Sequence, residues 1–87
     1  MEKGRGREQS VRIRVNGYAT MKQFTKHLPH GGEMEVPDES TVGTVLSMLH
    51  VPVRVEKISM VNGRQCDMDH VLEPGDQLVF FPPLEGG

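Results

Sequence analysis

Several things are scarce in this chain. One cysteine, Cys66, excludes an intramolecular disulfide and any Cys-x-x-Cys zinc site, so nothing in the sequence calls for an oxidising compartment or a structural metal. Cytoplasm is the default expectation. Tryptophan is absent, with one Tyr and three Phe. The longest uninterrupted apolar run is Leu78 to Phe81, far short of a membrane span, and the amino-terminal stretch has no apolar segment of signal-peptide type. No membrane role is expected. With 87 residues there is room for one small domain and no deep active site.

Charge of one sign is also lacking overall, since 10 Lys and Arg face 12 Asp and Glu for a net charge of −2. The balance is uneven along the chain. Residues 1–14 hold five cations and two anions, whereas residues 15–87 hold five cations and ten anions. An acidic body argues against nucleic-acid binding, which needs clustered Lys and Arg, and suits a basic protein partner instead.

Met1 to Gln9 carries no large apolar residue beyond the first methionine, so it cannot offset the entropy of being ordered and is read as a disordered basic arm. Strict alternation begins at Ser10, with Val11, Ile13 and Val15 on one side and Arg12 and Arg14 on the other, which predicts a strand covered on one face. Asn16-Gly17 reads as a turn. Phe24 and Leu28 predict one buried helical turn, broken by Pro29 and Gly31-Gly32. Met34 and Val36 between Glu33 and Glu35 predict a second strand, closed by Pro37 and forming a hairpin with the first.

Asp38-Glu39-Ser40-Thr41 precedes Val42, Val45, Leu46 and Leu49, whose spacing defines an amphipathic helix with a capped start, ended by Pro52. Ile58 and Met60 alternate toward Asn62-Gly63, the dipeptide best suited to a tight hairpin turn, and Gln65-Cys66 resumes beyond it. Pro74-Gly75 fits a type II turn. Gln77 to Phe81 is apolar enough to be a central strand lying parallel to the first. The expectation is an α+β domain over residues 10–81, a mixed sheet in the order ββαβββ packed on one main helix, followed by a tail over residues 82–87.

That tail holds the most specific signal. Pro82 and Pro83 have fixed φ and no N–H, so the chain leaves the last strand extended and cannot pair as another ladder strand. Gly86 and Gly87 have no side chains, so they could pass through a slot only a backbone wide and present the Gly87 carboxylate unscreened. Two terminal glycines arise by chance in roughly one chain in a hundred of this glycine content, so they gain meaning from the stiff exit that precedes them.

Phe80-Phe81-Pro82-Pro83 followed by Gly86-Gly87, with Asn62-Gly63-Arg64 and Glu73-Pro74-Gly75-Asp76 as turns, resembles the MoaD/ThiS family of β-grasp (ubiquitin-like) sulfur carriers, and the MoaD-type ending in particular. The resemblance covers about Val11 to Gly87. It implies that a ubiquitin-activating-like adenylyltransferase of the MoeB/ThiF type adenylates Gly87, using ATP and Mg that this chain does not itself bind. A persulfide donor such as a cysteine desulfurase then supplies sulfur for a thiocarboxylate. The implied acceptor is the large subunit of molybdopterin synthase, with this chain as a non-enzymatic cosubstrate in molybdenum or tungsten cofactor synthesis. A ThiS-like role in thiamine synthesis and a ubiquitin-like modifier conjugated through Gly87 stay open as alternatives. Phe81, Pro82, Pro83, Leu84 and Glu85 would form the stem that partners grip, with an apolar sheet patch around it.

Other constellations carry less. His27 and His30 flank Leu28-Pro29, and the proline spoils the helical spacing that would aim both at one metal. His50 and His70 read as surface or capping residues, and Asp67 and Asp69 as solvated. Cys66, with only Arg64 nearby, reads as a partly buried, unreactive thiol. Gly31-Gly32 lacks a following Lys-Ser or Lys-Thr and is a turn, not a phosphate loop.

Overall fold

A computed structural model describes residues 10–83. The predicted arm, residues 1–9, and Leu84, Glu85, Gly86 and Gly87 lie outside the described residues. In chain order the elements are β1 (Ser10–Gly17), a 3-10 segment (Ala19–Phe24), β2 (Glu33–Pro37), α1 (Val42–Met48), β3 (Ile58–Val61), β4 (Arg64–Cys66) and β5 (Gln77–Phe81). They form one five-stranded mixed sheet in the order β2-β1-β5-β3-β4. The last strand is central and runs parallel to the first, as its apolar content predicts.

The inner face carries Val11, Ile13 and Val15 of β1, Val36 of β2, Val61 of β3 and Leu78 and Phe80 of β5, all buried. Val42, Val45 and Leu46 of α1 close over them, joined by Met21, Leu49, Val51 and Leu72. Each fully buried Leu or Phe here contributes roughly 1.5–3 kcal/mol relative to exposure. On the opposite face β1 and β2 pair charges across the ladder, with Arg12 3.0 Å from Glu33 and 3.9 Å from Glu35. These pairs are exposed and stabilise little.

α1 begins as its sequence predicts: Thr41 is the N-cap, and its Oγ1 accepts a 3.1 Å hydrogen bond from the Thr44 N–H. Its end differs from expectation. The chain turns at His50, in left-handed backbone with φ 66°, before Pro52 is reached. The His50 N–H donates to the Ser47 carbonyl and the Val51 N–H to that of Leu46, the paired bonds of a Schellman cap, while Val51 and Leu46 both stay in the core. His50 is therefore a cap, and Pro52 only prevents resumption.

Two other expectations are corrected. The helical residues after β1 are Ala19–Phe24, with Met21 as the buried anchor; Phe24 and Leu28 pack only partly on the core through successive turns. The close approach of that segment to β1 is possible because Gly17 has no side chain: a Cβ there would collide with the Met21 carbonyl and meet the Phe80 ring at 3.0 Å. Second, Asn16-Gly17 is not a turn but the end of β1, and the phase of β3 is set by its partner strand. Ser59 and Val61 point inward, and Ile58 and Met60 are the half-buried outer residues. Register decides this, because Ser59 lies opposite Phe80 and Val61 opposite Leu78, and both β5 residues are fixed in the core. Apolar content alone favoured Ile58 and Met60 over Ser59. One cost is visible: the buried Ser59 hydroxyl has no hydrogen-bond partner among the described residues.

Candidate functional site at the exit of the last strand

The sheet has two unlike ends. At the end where β5 starts, turns are interlocked. Asn62 (φ 53°) and Gly63 (φ 85°) make the tight hairpin turn between β3 and β4. Gly75 (φ 86°) sits third in a type II turn closed by the Asp76 N–H on the Glu73 carbonyl. Asn62 and Asp76 tie these turns together: Asn62 Nδ2 donates to Asp76 Oδ1 at 2.9 Å, and Asn62 Oδ1 accepts from the Gln77 N–H at 3.0 Å. Asp76 Oδ2 accepts from the Glu73 N–H, while the Gly75 and Arg14 N–H groups bond across β1 and the turn. The start of β5 is thus pinned between β1 and β3. Its register fixes where the other end emerges.

At that other end Phe81 lies opposite Ile58, and the Tyr18 N–H donates to the Phe80 carbonyl, extending the β1 side of the ladder. Nearby, Thr25 Oγ1 accepts from the Gly17 N–H at 3.1 Å, a buried bond that ties the 3-10 region to the strand end. Pro82 and Pro83 follow, half-buried and outside any strand, as two residues without N–H groups must be. Of the predicted stem, Phe81, Pro82 and Pro83 are therefore placed at the sheet end. Leu84, Glu85, Gly86 and Gly87, which carry the proposed chemistry, fall outside the described residues.

The outer sheet face beside this exit is apolar. Val79 and Phe81 of β5 alternate outward opposite Met60 and Ile58 of β3, and all four are half-buried with no element of the described chain packed above them. Tyr18, half exposed, continues the same face from the end of β1. An apolar patch beside the stem was expected; the outward phase of Ile58 and Met60 is what supplies half of it. The signal in the sequence is the alternation of Ile58 and Met60, which by itself does not say which face they take.

Charges of both signs flank the tail exit: Lys22, Lys26, Arg54 and Lys57 stand in the segments next to it, and so do Glu56 and, after β4, Asp67 and Asp69.

The remaining candidates stay apart from this site. Cys66 is half-buried on β4, and burial, helped by the nearby Asp67 carboxylate, pushes its thiol above the ordinary value, so it is a poor thiolate at neutral pH. Its Sγ lies 3.8 Å from the Ser59 carbonyl. Among the described residues no group of three His, Cys, Asp or Glu is placed to hold a metal, and no helix is long and apolar enough to cross a membrane.

Comparison with known proteins places this geometry. The ThiS family model matches residues 18–87. Among solved structures, the Haloferax volcanii HVO 2177 protein superposes with TM-score 0.69 at 23% identity, over 97% of this chain and 100% of the other. SAMP1 from Haloferax volcanii, described in a further crystal structure as small archaeal modifier protein 1, gives 0.64 at 21% over 87% and 99%. A Pyrococcus furiosus protein assigned as molybdopterin converting factor, subunit 1, gives 0.62 at 21% over 85% and 99%. At these identities the likeness shows a shared fold, the ubiquitin-like β-grasp. No curated protein sequence matches the chain.

Proposed function

The chain belongs to the ThiS family, and from that premise we propose that it is a sulfur carrier whose Gly87 carboxylate is loaded and unloaded by other proteins. The observation that carries this reading is the strand exit: a central strand pinned at its start, an apolar outer face at its end, and a diproline leading toward a terminal diglycine.

The chemistry follows from what a carboxylate resists. An oxygen of the Gly87 carboxylate attacks the α-phosphorus of ATP, pyrophosphate leaves, and an acyl adenylate forms; ATP and Mg belong to the activating partner. A persulfide sulfur then attacks the carbonyl carbon and AMP departs, leaving an acyl disulfide. A thiol attacks the donor-side sulfur of that disulfide, so the S–S bond breaks, the electron pair stays on the glycine-bound sulfur as thiocarboxylate, and a new disulfide forms on the donor. The folded body does none of this. It docks, and so supplies effective concentration for the tethered end. Among acceptors we favour the large subunit of molybdopterin synthase, on the Phe80-Phe81-Pro82-Pro83 ending and the fold shared with the molybdopterin converting factor subunit. The small archaeal modifier protein has the same fold, and the same adenylate could instead acylate a lysine amine.

The test is intact mass after incubation with an adenylyltransferase of the same family, ATP, Mg, a persulfide donor and a thiol. The expected product has one oxygen replaced by sulfur, and the product is absent when Gly86 and Gly87 are deleted. Covalent adducts on lysines without any sulfur-bearing species would favour the modifier. An unchanged mass would overturn both.

A further inference from the structure

Where β2 runs out, one buried side chain continues the ladder along β1. The N–H groups of β1 alternate between its two neighbours. Val15 donates to the Gly32 carbonyl at 2.8 Å on the β2 side, whereas Arg14 and Tyr18 donate to the Asp76 and Phe80 carbonyls on the β5 side, each at 3.0 Å. Gly17 therefore points to the β2 side, but β2 starts at Glu33, opposite Arg14, and offers it no carbonyl. The Thr25 hydroxyl takes that place, accepting from the buried Gly17 N–H at 3.1 Å. Thr25 is itself only 6% exposed, and its Oγ1 donates toward the Lys22 carbonyl at 3.5 Å. With its proton turned to Lys22, the hydroxyl faces Gly17 with a lone pair.

The strand end held by Thr25 is the one that holds the stem. Tyr18, next after Gly17, makes the last main-chain hydrogen bond from β1 to β5 among the described residues. Its N–H fixes the Phe80 carbonyl, and with it the plane of the Phe80–Phe81 peptide. Little rotates beyond that plane. The rings of Pro82 and Pro83 fix two φ angles, and Phe81 and Pro82, each preceding a proline, are confined to extended backbone. A small rotation of the plane is therefore carried out to Pro83 rather than absorbed on the way. The segment after Tyr18 accepts a cost for this hold: Ala19 takes left-handed backbone (φ 57°), unfavourable for a residue with a side chain, as the chain turns back and the Met21 N–H reaches the Tyr18 carbonyl at 3.0 Å.

We propose that Thr25 is a positioning residue for the carrier end: through Gly17 and Tyr18 it sets the direction in which the diproline stem leaves the sheet, and so the share of docked complexes whose terminal glycine reaches the activating site. The inference rests on the carrier reading. Docking by the outer face and aiming by Thr25 are separate contributions. Loss of the first weakens association, whereas loss of the second leaves association intact and makes most encounters unproductive.

The test compares Thr25→Val, which replaces the hydroxyl by a methyl of similar size, with Thr25→Ser, which keeps it. Each full chain is titrated into ATP–pyrophosphate exchange with an adenylyltransferase of the same family, ATP and Mg. Thr25→Val is expected to lower the rate at saturating chain about tenfold, within the range that a misplaced reacting group costs, with the half-saturating concentration unchanged. Thr25→Ser is expected to restore most of that rate. A merely destabilised chain behaves otherwise, because fewer folded molecules raise the half-saturating concentration and leave the saturated rate alone. An unimpaired Thr25→Val, a defect in half-saturation only, or a Thr25→Ser as slow as Thr25→Val would overturn the proposal while leaving the carrier reading intact. No exchange with the wild-type chain would overturn both. Amide hydrogen exchange supplies a readout that needs neither a folded variant nor an enzyme: in the wild-type chain the Gly17 and Tyr18 amides are expected to be as protected as that of Val15. Free exchange at either would overturn the proposal. In Thr25→Val both are expected to exchange roughly tenfold faster, the scale of a lost buried hydrogen bond, and by a larger factor than Val45 and Leu46 in α1.

Discussion

Strands β3 and β5 present two faces made of nearly the same residue types, and their fates differ. Inward, Val61, Leu78 and Phe80 are almost wholly buried under α1. Outward, Ile58, Met60, Val79 and Phe81 are only half covered, by one another and by neighbouring strands. A strand pair that is apolar on both faces reads as one buried on both. Here a single seven-residue helix covers one face, and the described chain supplies nothing for the other. The comparison teaches that the outer residues are retained for something other than this domain's own stability. Across β1 and β2 the same outer face turns to paired Arg and Glu, so the apolar region is confined to the strands that lead to the tail.

The contrast breaks first on stability. Phe80→Ala is expected to destabilise by about 3–5 kcal/mol, since it empties a fully buried site, whereas Phe81→Ala should lose about 1 kcal/mol. Urea unfolding of the two variants checks it, and equal losses would mean that the two faces are not different in kind. For loading the order should invert. Met60→Asp on the outer face is expected to lower the urea midpoint less than Phe80→Ala does, yet slow sulfur loading of Gly87 by about tenfold or more under conditions where the variant is folded, the scale of a lost interface anchor.

Smaller effects sharpen the account of how the exit is positioned. Asp76→Ala removes the acceptor for both Asn62 Nδ2 and the Glu73 N–H, and should cost about 1–2 kcal/mol, with faster amide exchange at Gln77 and Leu78. Ser59→Ala is predicted to act in the other direction. It deletes a buried hydroxyl without a partner, so stability should be unchanged or rise by up to about 1 kcal/mol. The smallest effect concerns Cys66. Its folded pKa is raised, so the unfolded chain loses its thiol proton first; the associated stability is full below the unfolded pKa and disappears as pH rises through the folded one. Alkylation of Cys66 at mildly alkaline pH should be slower in the folded protein than in a denatured control.

Much of this was legible in the sequence, and the misses have physical causes. Period-two alternation gave β1, and the Thr41 cap with the Val42, Val45, Leu46 and Leu49 spacing gave α1, because local geometry and burial agree there. Asn62-Gly63 and Pro74-Gly75 gave their turns through required positive φ. The phase of β3 is not legible locally, because register is set across the sheet by Leu78 and Phe80, which no local pattern contains. The end of α1 was missed because His50 can take left-handed backbone without being Gly or Asn. At the candidate site the sequence spoke for Phe81 to Gly87, and the structure places Phe81, Pro82 and Pro83.

The central claim is that this domain holds out the Gly87 carboxylate for activation, and ATP–pyrophosphate exchange tests it most directly. With an adenylyltransferase of the same family and Mg, labelled pyrophosphate should enter ATP only when the full chain is present, and exchange should vanish for the chain lacking Gly86 and Gly87. Exchange that is indifferent to the presence of the chain, or that persists without its last two residues, would contradict the account.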